Sequence, residues 1–385
     1  MTVKLSSLLI VCLLYIGFGK TANAQNADIL CGADQTELYF PLLKNKKIGL
    51  VVNQTSQIKG VHLFDTLHNL CFDVVKIFGP EHGFRGDAEA GDVVDNGFDR
   101  STGVPIISLY GNSYKPKAAD LDGIDIMVFD IQDVGVRFYT YLSTLHYVME
   151  ACAENNIPLL LLDRPNPNGF YVDGPVLNLK YKSFVGMHPI PIVYGMTLGE
   201  MAMMINGEGW LKNGAKCNIQ IIKCKGYTHQ SRYELPVKPS PNLPNQRSVY
   251  LDPSLALFEG TCMSVGRGTD FPFQVYGHPD LDTFDIKFRP KHKKGYSAPV
   301  LDGEKCKGFD LQNDTSIFTL KFLMQAYSYY PQKEAFFNNF FEKLCGNEEL
   351  RSQIIDGCSE SEIRETWKDD LDKYKILRAK YLLYK

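Results

Sequence analysis

Three glycines and a proline in Gly79-Pro80-Glu81-His82-Gly83-Phe84-Arg85-Gly86 force a tight loop that presents a carboxylic acid and an imidazole side by side. A carboxyl group held there against Phe84 is placed for general-acid work, with His82 as its immediate neighbour. The plainer reading is a turn whose Glu81 caps a helix N-terminus. Asp130 and Asp133 stand at the end of an apolar run, with Gln132 between them and Gly135, Arg137, Tyr139 and Tyr141 following. Cleavage of a glycosidic bond needs one acid and a second carboxylate, and either aspartate can supply the second; both can equally serve to hydrogen-bond the amides of their own loop. One of the two tyrosines can face a sugar ring, or both can pack into the core.

Three further segments carry candidate groups. In Asp163-Arg164-Pro165-Asn166-Pro167-Asn168-Gly169 the arginine either grips a carboxylate bidentately or forms a structural salt bridge with a residue other than adjacent Asp163. Glu259-Gly260-Thr261 and Gly266-Arg267-Gly268-Thr269 combine charge with flexible glycines and are suited to closing a cleft. No closely spaced His/Cys set or H-E-x-x-H supports a metal, and no G-x-S-x-G supports a serine nucleophile.

The elements that must position these residues follow from the apolar pattern. Short runs at 48–52, 72–78, 105–109, 124–129 and 157–162 alternate with helical patterns at 63–70 and 140–154, and Thr197-x-x-Glu200 reads as a capping box opening another helix. Continuous Val/Ile/Leu runs suit strands buried on both faces of a parallel sheet, which predicts a Rossmann-like layered α/β domain. In such sheets ligands bind beyond the carboxyl ends of the strands. The five runs end at Asn53-Gln54, Glu81-His82, Tyr110, Asp130 to Asp133 and Asp163 to Asn166, so the candidate residues are expected on one edge. Asn53-Gln54-Thr55-Ser56 stands where a dinucleotide fingerprint would follow the first strand, so no such cofactor is expected. A proline-rich passage at 235–244 predicts an extended crossover and a domain boundary near residue 245, with a smaller α+β domain over 246–385 that has helical patterns at 315–330 and 359–384.

Residues 1–24 have a cation at Lys4, an apolar core from Leu5 to Phe18 and small residues at Ala22 and Ala24, the pattern of a cleaved secretory leader. Export is expected, to the periplasm or beyond, with no membrane span after cleavage, and Cys31 lies too far from the apolar core for lipidation. Residues 25–385 exceed what one core usually organises, consistent with two domains. Hydrophobic residues at 44%, charged residues at 22% and a formal net charge of -3 with interspersed signs describe a globular chain without a nucleic-acid footprint. Nine cysteines lie outside the leader, without C-x-x-C pairs; Cys217 and Cys224 flank one apolar run and either bridge or act as small buried hydrophobes, and no disulfide framework is expected.

Val-Val-Asn-Gln-Thr-Ser at 51–56, the loop at 79–86, Phe-Asp-Ile-Gln-Asp-Val-Gly-Val-Arg-Phe-Tyr-Thr-Tyr at 129–141, Leu-Asp-Arg-Pro-Asn-Pro at 162–167, Phe-Glu-Gly-Thr at 258–261 and Gly-Arg-Gly-Thr-Asp-Phe-Pro-Phe-Gln at 266–274 together resemble the motifs of the NamZ-type exo-β-N-acetylmuramidases. The resemblance runs from about residue 40 to Tyr384. It implies a glycoside hydrolase that removes N-acetylmuramic acid (MurNAc) from the non-reducing end of peptide-free peptidoglycan fragments, in a cleft between the two domains; the missing motifs above lead to no expected cofactor or metal. Glu81 matches the glutamate proposed as catalytic in the family. Asp130, Asp133 and His82 are its expected companions, and Asn53, Arg85, Gln132, Arg137, Tyr139, Arg164, Asn166, Glu259 and Arg267 occupy motif positions expected around the sugar. The lactyl carboxylate of MurNAc wants a guanidinium, for which Arg137, Arg164 and Arg267 are the candidates. Cys262-Met263-Ser264-Val265 departs from the more polar segment expected there. A fragment-binding protein without turnover, or another hydrolase on the same scaffold, are the competing readings.

Overall fold

The computed structural model describes residues 29–86, 96–292 and 298–385, so the leader at 1–24 lies outside the described residues. Seven strands form the main sheet: β1 Ile48–Val52, β2 Val74–Gly79, β3 Gly97–Phe98, β4 Pro105–Ser108, β5 Ile126–Asp130, β6 Leu159–Leu162 and β7 Ile219–Ile222. Their order is β3-β4-β2-β1-β5-β6-β7, and every pairing is parallel except the short edge strand β3. All five residues of central β1 are buried, because helices cover both faces of the sheet. Leu50, Val52, Ile77 and Val128 face Leu63, Phe64 and Leu67 of α2 (Leu63–Asn69) and Tyr39 and Leu43 of α1 (Thr36–Leu43). Val51, Phe78, Met127 and Phe129 point the opposite way, against α3 (Tyr141–Glu154) and α4 (Leu198–Gly207). This alternation is the two-residue period of a strand written into both cores.

Several strands begin later than the apolar runs. Ile124 and Ile157 are buried, but their amides bond back to Leu121 and Cys152 as closing turns of the preceding helices, so their side chains floor the core before the backbone extends. Strand β7, inside the run flanked by Cys217 and Cys224, completes the far edge; both cysteines are buried free thiols. Thr197 and Glu200 form the capping box that opens α4.

The smaller C-terminal domain holds α5 (Gln246–Leu255), an antiparallel sheet of β8 Val275–His278, β9 Ile286–Phe288 and β10 Cys306–Asp310 in the order β8-β10-β9, and α6 (Lys321–Tyr329). The helical pattern predicted over 359–384 divides at Trp367 into α7 (Glu360–Thr366) and α8 (Lys368–Ala379). Trp367 is buried in the C-terminal core, whereas Tyr374, Leu377 and Tyr381 pack on the main-sheet core, so the break lets one segment serve two cores. The Tyr384 hydroxyl then donates to Asp163 at 2.6 Å, tying the tail to the end of β6. Among the described residues no helix is long and apolar enough to cross a membrane.

Candidate active site

Beyond β2 the chain reverses sharply. His82 and Gly83 adopt φ of 70° and 78°, and the Gly83 amide bonds to Pro80 at 2.9 Å. A histidine in the left-handed region costs backbone energy, and such positions concentrate at functional sites. The turn leaves Glu81 and His82 almost buried, 7% and 5% exposed, on the wall of a cavity. Thr140, the N-cap of α3, makes no side-chain cap; its hydroxyl donates instead to Glu81 Oε2 at 2.5 Å. Tyr110, just beyond β4, is also hydrogen-bonded to Glu81, and burial followed by the Glu81 charge pushes the phenol pKa up. Three strand-end segments thus meet on one carboxyl group. Phe84 turns the other way, edge-on to His62 and Phe64, with the Arg85 guanidinium 4.3 Å above its ring. Arg85 pairs with Asp65 at 3.0 Å and does not line the cavity.

The cavity, about 270 Å³, lies between the domains. Glu81, His82, Tyr110 and the segment Phe138 to Tyr141 form one wall; Asp252, Ala256, Glu259, Arg267 and Phe273 form the other, and Ser240, Asn242 and Leu243 close it from the proline-rich crossover. That crossover is pinned in place, because the Tyr139 hydroxyl donates to Pro239 O at 2.9 Å and Gln54 Nε2 to the same oxygen at 3.0 Å. Tyr139 therefore lines the cavity with its hydroxyl already engaged. Arg267 Nε donates to Glu259 at 3.1 Å, and Nη2 bonds the same oxygen.

Asp252 on α5 was not among the sequence candidates. Its carboxyl is 5% exposed and lines the cavity, and Oδ2 has no hydrogen-bond partner among the described residues. Burial, then the Glu259 charge, pushes its pKa up to about 8 against the opposing pull of Arg267. A signal existed: Asp252 is the lone acid in Val249-Tyr250-Leu251-Asp252-Pro253-Ser254-Leu255, an otherwise uncharged segment.

The remaining candidates build the shelf under the site, and none of them lines the cavity. Arg164 grips Asp130 through Nε at 2.6 Å and Nη2 at 2.9 Å, both side chains buried, so the two form a structural ion pair rather than an anion grip with a free acid beside it. Gln132 Nε2 donates to the carbonyls of Asp133 and Pro165, at 2.8 and 2.7 Å. Asp133 Oδ2 accepts from the Gly135 amide at 2.7 Å and from the Tyr194 hydroxyl, and burial pushes its pKa up to about 7. Asn53 accepts from Thr55, and Asn166 donates to Met196 O at 2.8 Å. Arg137 is 1% exposed and spends its guanidinium on the carbonyls of Pro175, Ile190, Leu344 and Cys345. Of the three candidate arginines, only Arg267 reaches the cavity.

Two family models match the chain, the N-terminal region of exo-β-N-acetylmuramidase NamZ over residues 48–247 and its C-terminal region over 250–384. Peptidoglycan β-N-acetylmuramidase NamZ of Bacillus subtilis is 38% identical, with 95% of this chain and 94% of that protein covered. Two crystal structures of DUF1343 family proteins from Bacteroides fragilis share the fold: BF0379 at 48% identity and a TM-score of 0.87, and BF0371 at 31% and 0.79, each covering 93% of this chain and 99% of its own. Matched over residues 48–247 and 250–384 by the two family models, and 38% identical to a NamZ protein over 95% of its length, the chain belongs to the NamZ family of exo-β-N-acetylmuramidases.

Proposed function

We propose that this protein is an exo-acting β-N-acetylmuramidase that releases terminal MurNAc from peptide-free peptidoglycan fragments, with Glu81 protonating the leaving glycosidic oxygen. The observation that carries the reading is a nearly buried carboxyl group oriented by two hydroxyls, from Thr140 and Tyr110, on the wall of an interdomain cavity. Glycoside hydrolysis asks for a proton donor fixed beside the bond to be broken, in a site from which bulk water is largely excluded. A cavity of about 270 Å³ lies at the small end of ligand sites and suits one substituted sugar ring, which favours cleavage at a chain terminus. The activity named for the Bacillus subtilis relative supports the same substrate. An exported protein would meet such fragments, in keeping with the leader read at 1–24.

The test is incubation of the mature protein with MurNAc-GlcNAc disaccharide, following free MurNAc by mass spectrometry. Release of the monosaccharide from the non-reducing end is expected; binding without release would favour a fragment-binding role. Arg267 supplies the partner for the lactyl carboxylate in this reading. Arg267→Met is expected to raise KM for a chromogenic β-MurNAc glycoside by roughly tenfold or more, the scale of one charged hydrogen bond, while affecting the β-GlcNAc analogue less. Equal effects on both glycosides would remove Arg267 from lactyl recognition.

A further inference from the structure

We propose that Asp252 is a specificity residue of this cavity: with Arg267 it makes the subsite for the lactyl carboxylate of the sugar, donating its carboxyl O–H to that group. The proposal rests on the muramidase reading for the identity of the ligand. Of the acids that line the cavity, Glu81 is engaged by hydroxyls from the N-terminal domain and Glu259 is held by Arg267. Asp252 presents Oδ2 buried and without a partner among the described residues. An unsatisfied buried polar atom is costly, and because Asp252 lines the cavity a small turn of its carboxyl group would let a ligand satisfy that atom.

Charge decides which form of Asp252 works. An incoming carboxylate would meet Glu259 and Arg267, whose charges offset, so an ionised Asp252 would make the subsite net negative and repel it. A protonated Asp252 leaves the subsite neutral and adds a donor directed at an anion, one of the stronger classes of hydrogen bond. The groups acting on Asp252 are Glu259, Arg267 and Asp133, with Tyr139 and Tyr171 also within its field. Burial and Glu259 hold its pKa near 8, so the acid is mostly protonated at neutral pH and ionises just above it. The sign for stability follows: because the folded-state value lies above that of an unfolded aspartate, the folded protein retains a proton that the unfolded chain releases. The residue therefore costs no stability below the unfolded pKa of roughly 4, and costs progressively more as pH rises towards 8.

The experiment compares wild type, Asp252→Asn and Asp252→Ala on chromogenic β-MurNAc and β-GlcNAc glycosides between pH 6 and 9, with melting curves of each. Wild type is expected to lose its preference for MurNAc by roughly tenfold from pH 7 to 9, a change of about one charged hydrogen bond. Asp252→Asn, a donor that does not titrate, should lower MurNAc turnover at pH 6 but lose that pH limb, and should melt no lower than wild type at pH 8. Asp252→Ala should raise KM for the MurNAc glycoside at pH 6. An unchanged pH limb in Asp252→Asn, or equal effects of Asp252→Ala on the two glycosides, would overturn the proposal. Should wild type cleave neither glycoside, the muramidase reading fails separately, and calorimetric titration of the three proteins with free MurNAc and GlcNAc decides. A MurNAc preference lost above pH 8 in wild type and flattened in Asp252→Asn supports the subsite; the same affinity for both sugars refutes it.

Discussion

Glu81→Gln is expected to lower MurNAc release from MurNAc-GlcNAc by at least about a hundredfold, the usual worth of a positioned proton donor, while leaving the fold intact. The replacement is nearly isosteric, and the amide oxygen can still accept from Thr140, so the side chain at residue 81 keeps its place and the transferable proton is lost. Mass spectrometry of the product, with a melting curve beside it, separates the two effects. A variant that folds, binds the disaccharide and does not release MurNAc places the proton on Glu81. A variant that keeps more than a tenth of the wild-type rate assigns the proton to another group in the cavity. Binding of the uncleaved disaccharide in the variant also gives the inert complex in which lactyl contacts can be measured.

Local chemistry made part of this arrangement readable in advance. Strand β1 at Ile48–Val52 is a run of uniformly buried residues, and the Thr197 capping box needs only four consecutive positions to declare itself. The Gly79 to Gly86 loop was legible for the same reason, since its glycines and proline restrict the backbone whatever surrounds them. Residues whose meaning depends on distant partners were not. Asp130 and Arg164 lie 34 positions apart, and nothing local says that each is consumed by the other. Thr140 looks like a helix cap and is one by position, yet its hydroxyl is diverted to Glu81 from a neighbouring strand end. Asp252 gains its character from a cavity built by two domains, and so do Glu259 and Arg267, whose cleft-closing position could be read only from composition. The rule that ligands sit beyond the carboxyl ends of parallel strands pointed to the edge on which Glu81, His82 and Tyr110 line the cavity. It could not say that most of the polar residues on that edge would turn inward and leave only a few of them on the cavity wall.

Arg137 shows this most sharply and carries the largest expected effect on stability. Its guanidinium donates to Pro175 and Ile190 in the N-terminal domain, at 2.7 and 2.8 Å, and to Leu344 and Cys345 in the C-terminal domain, at 2.8 and 2.7 Å. The chain makes room for it at Gly346, where φ is 85° and a Cβ would stand 2.8 Å from Nη2. The arginine is thus a bolt across the domain junction, and Leu344, one of the carbonyls it holds, belongs to a residue of the cavity wall. Arg137→Met keeps most of the volume but strands four buried carbonyls, for which a loss of about 3 to 5 kcal/mol is expected on the scale of a broken buried polar network. Burial pulls its pKa down to about 10, still well above neutral pH, so the bolt stays charged in ordinary buffers and chemical denaturation at pH 7 measures the full effect. If Arg137 instead gripped substrate, the same substitution would raise KM and leave the denaturation midpoint in place. A lowered midpoint is expected, with turnover falling through a loosened junction, and partial recovery when saturating MurNAc draws the two walls of the cavity together.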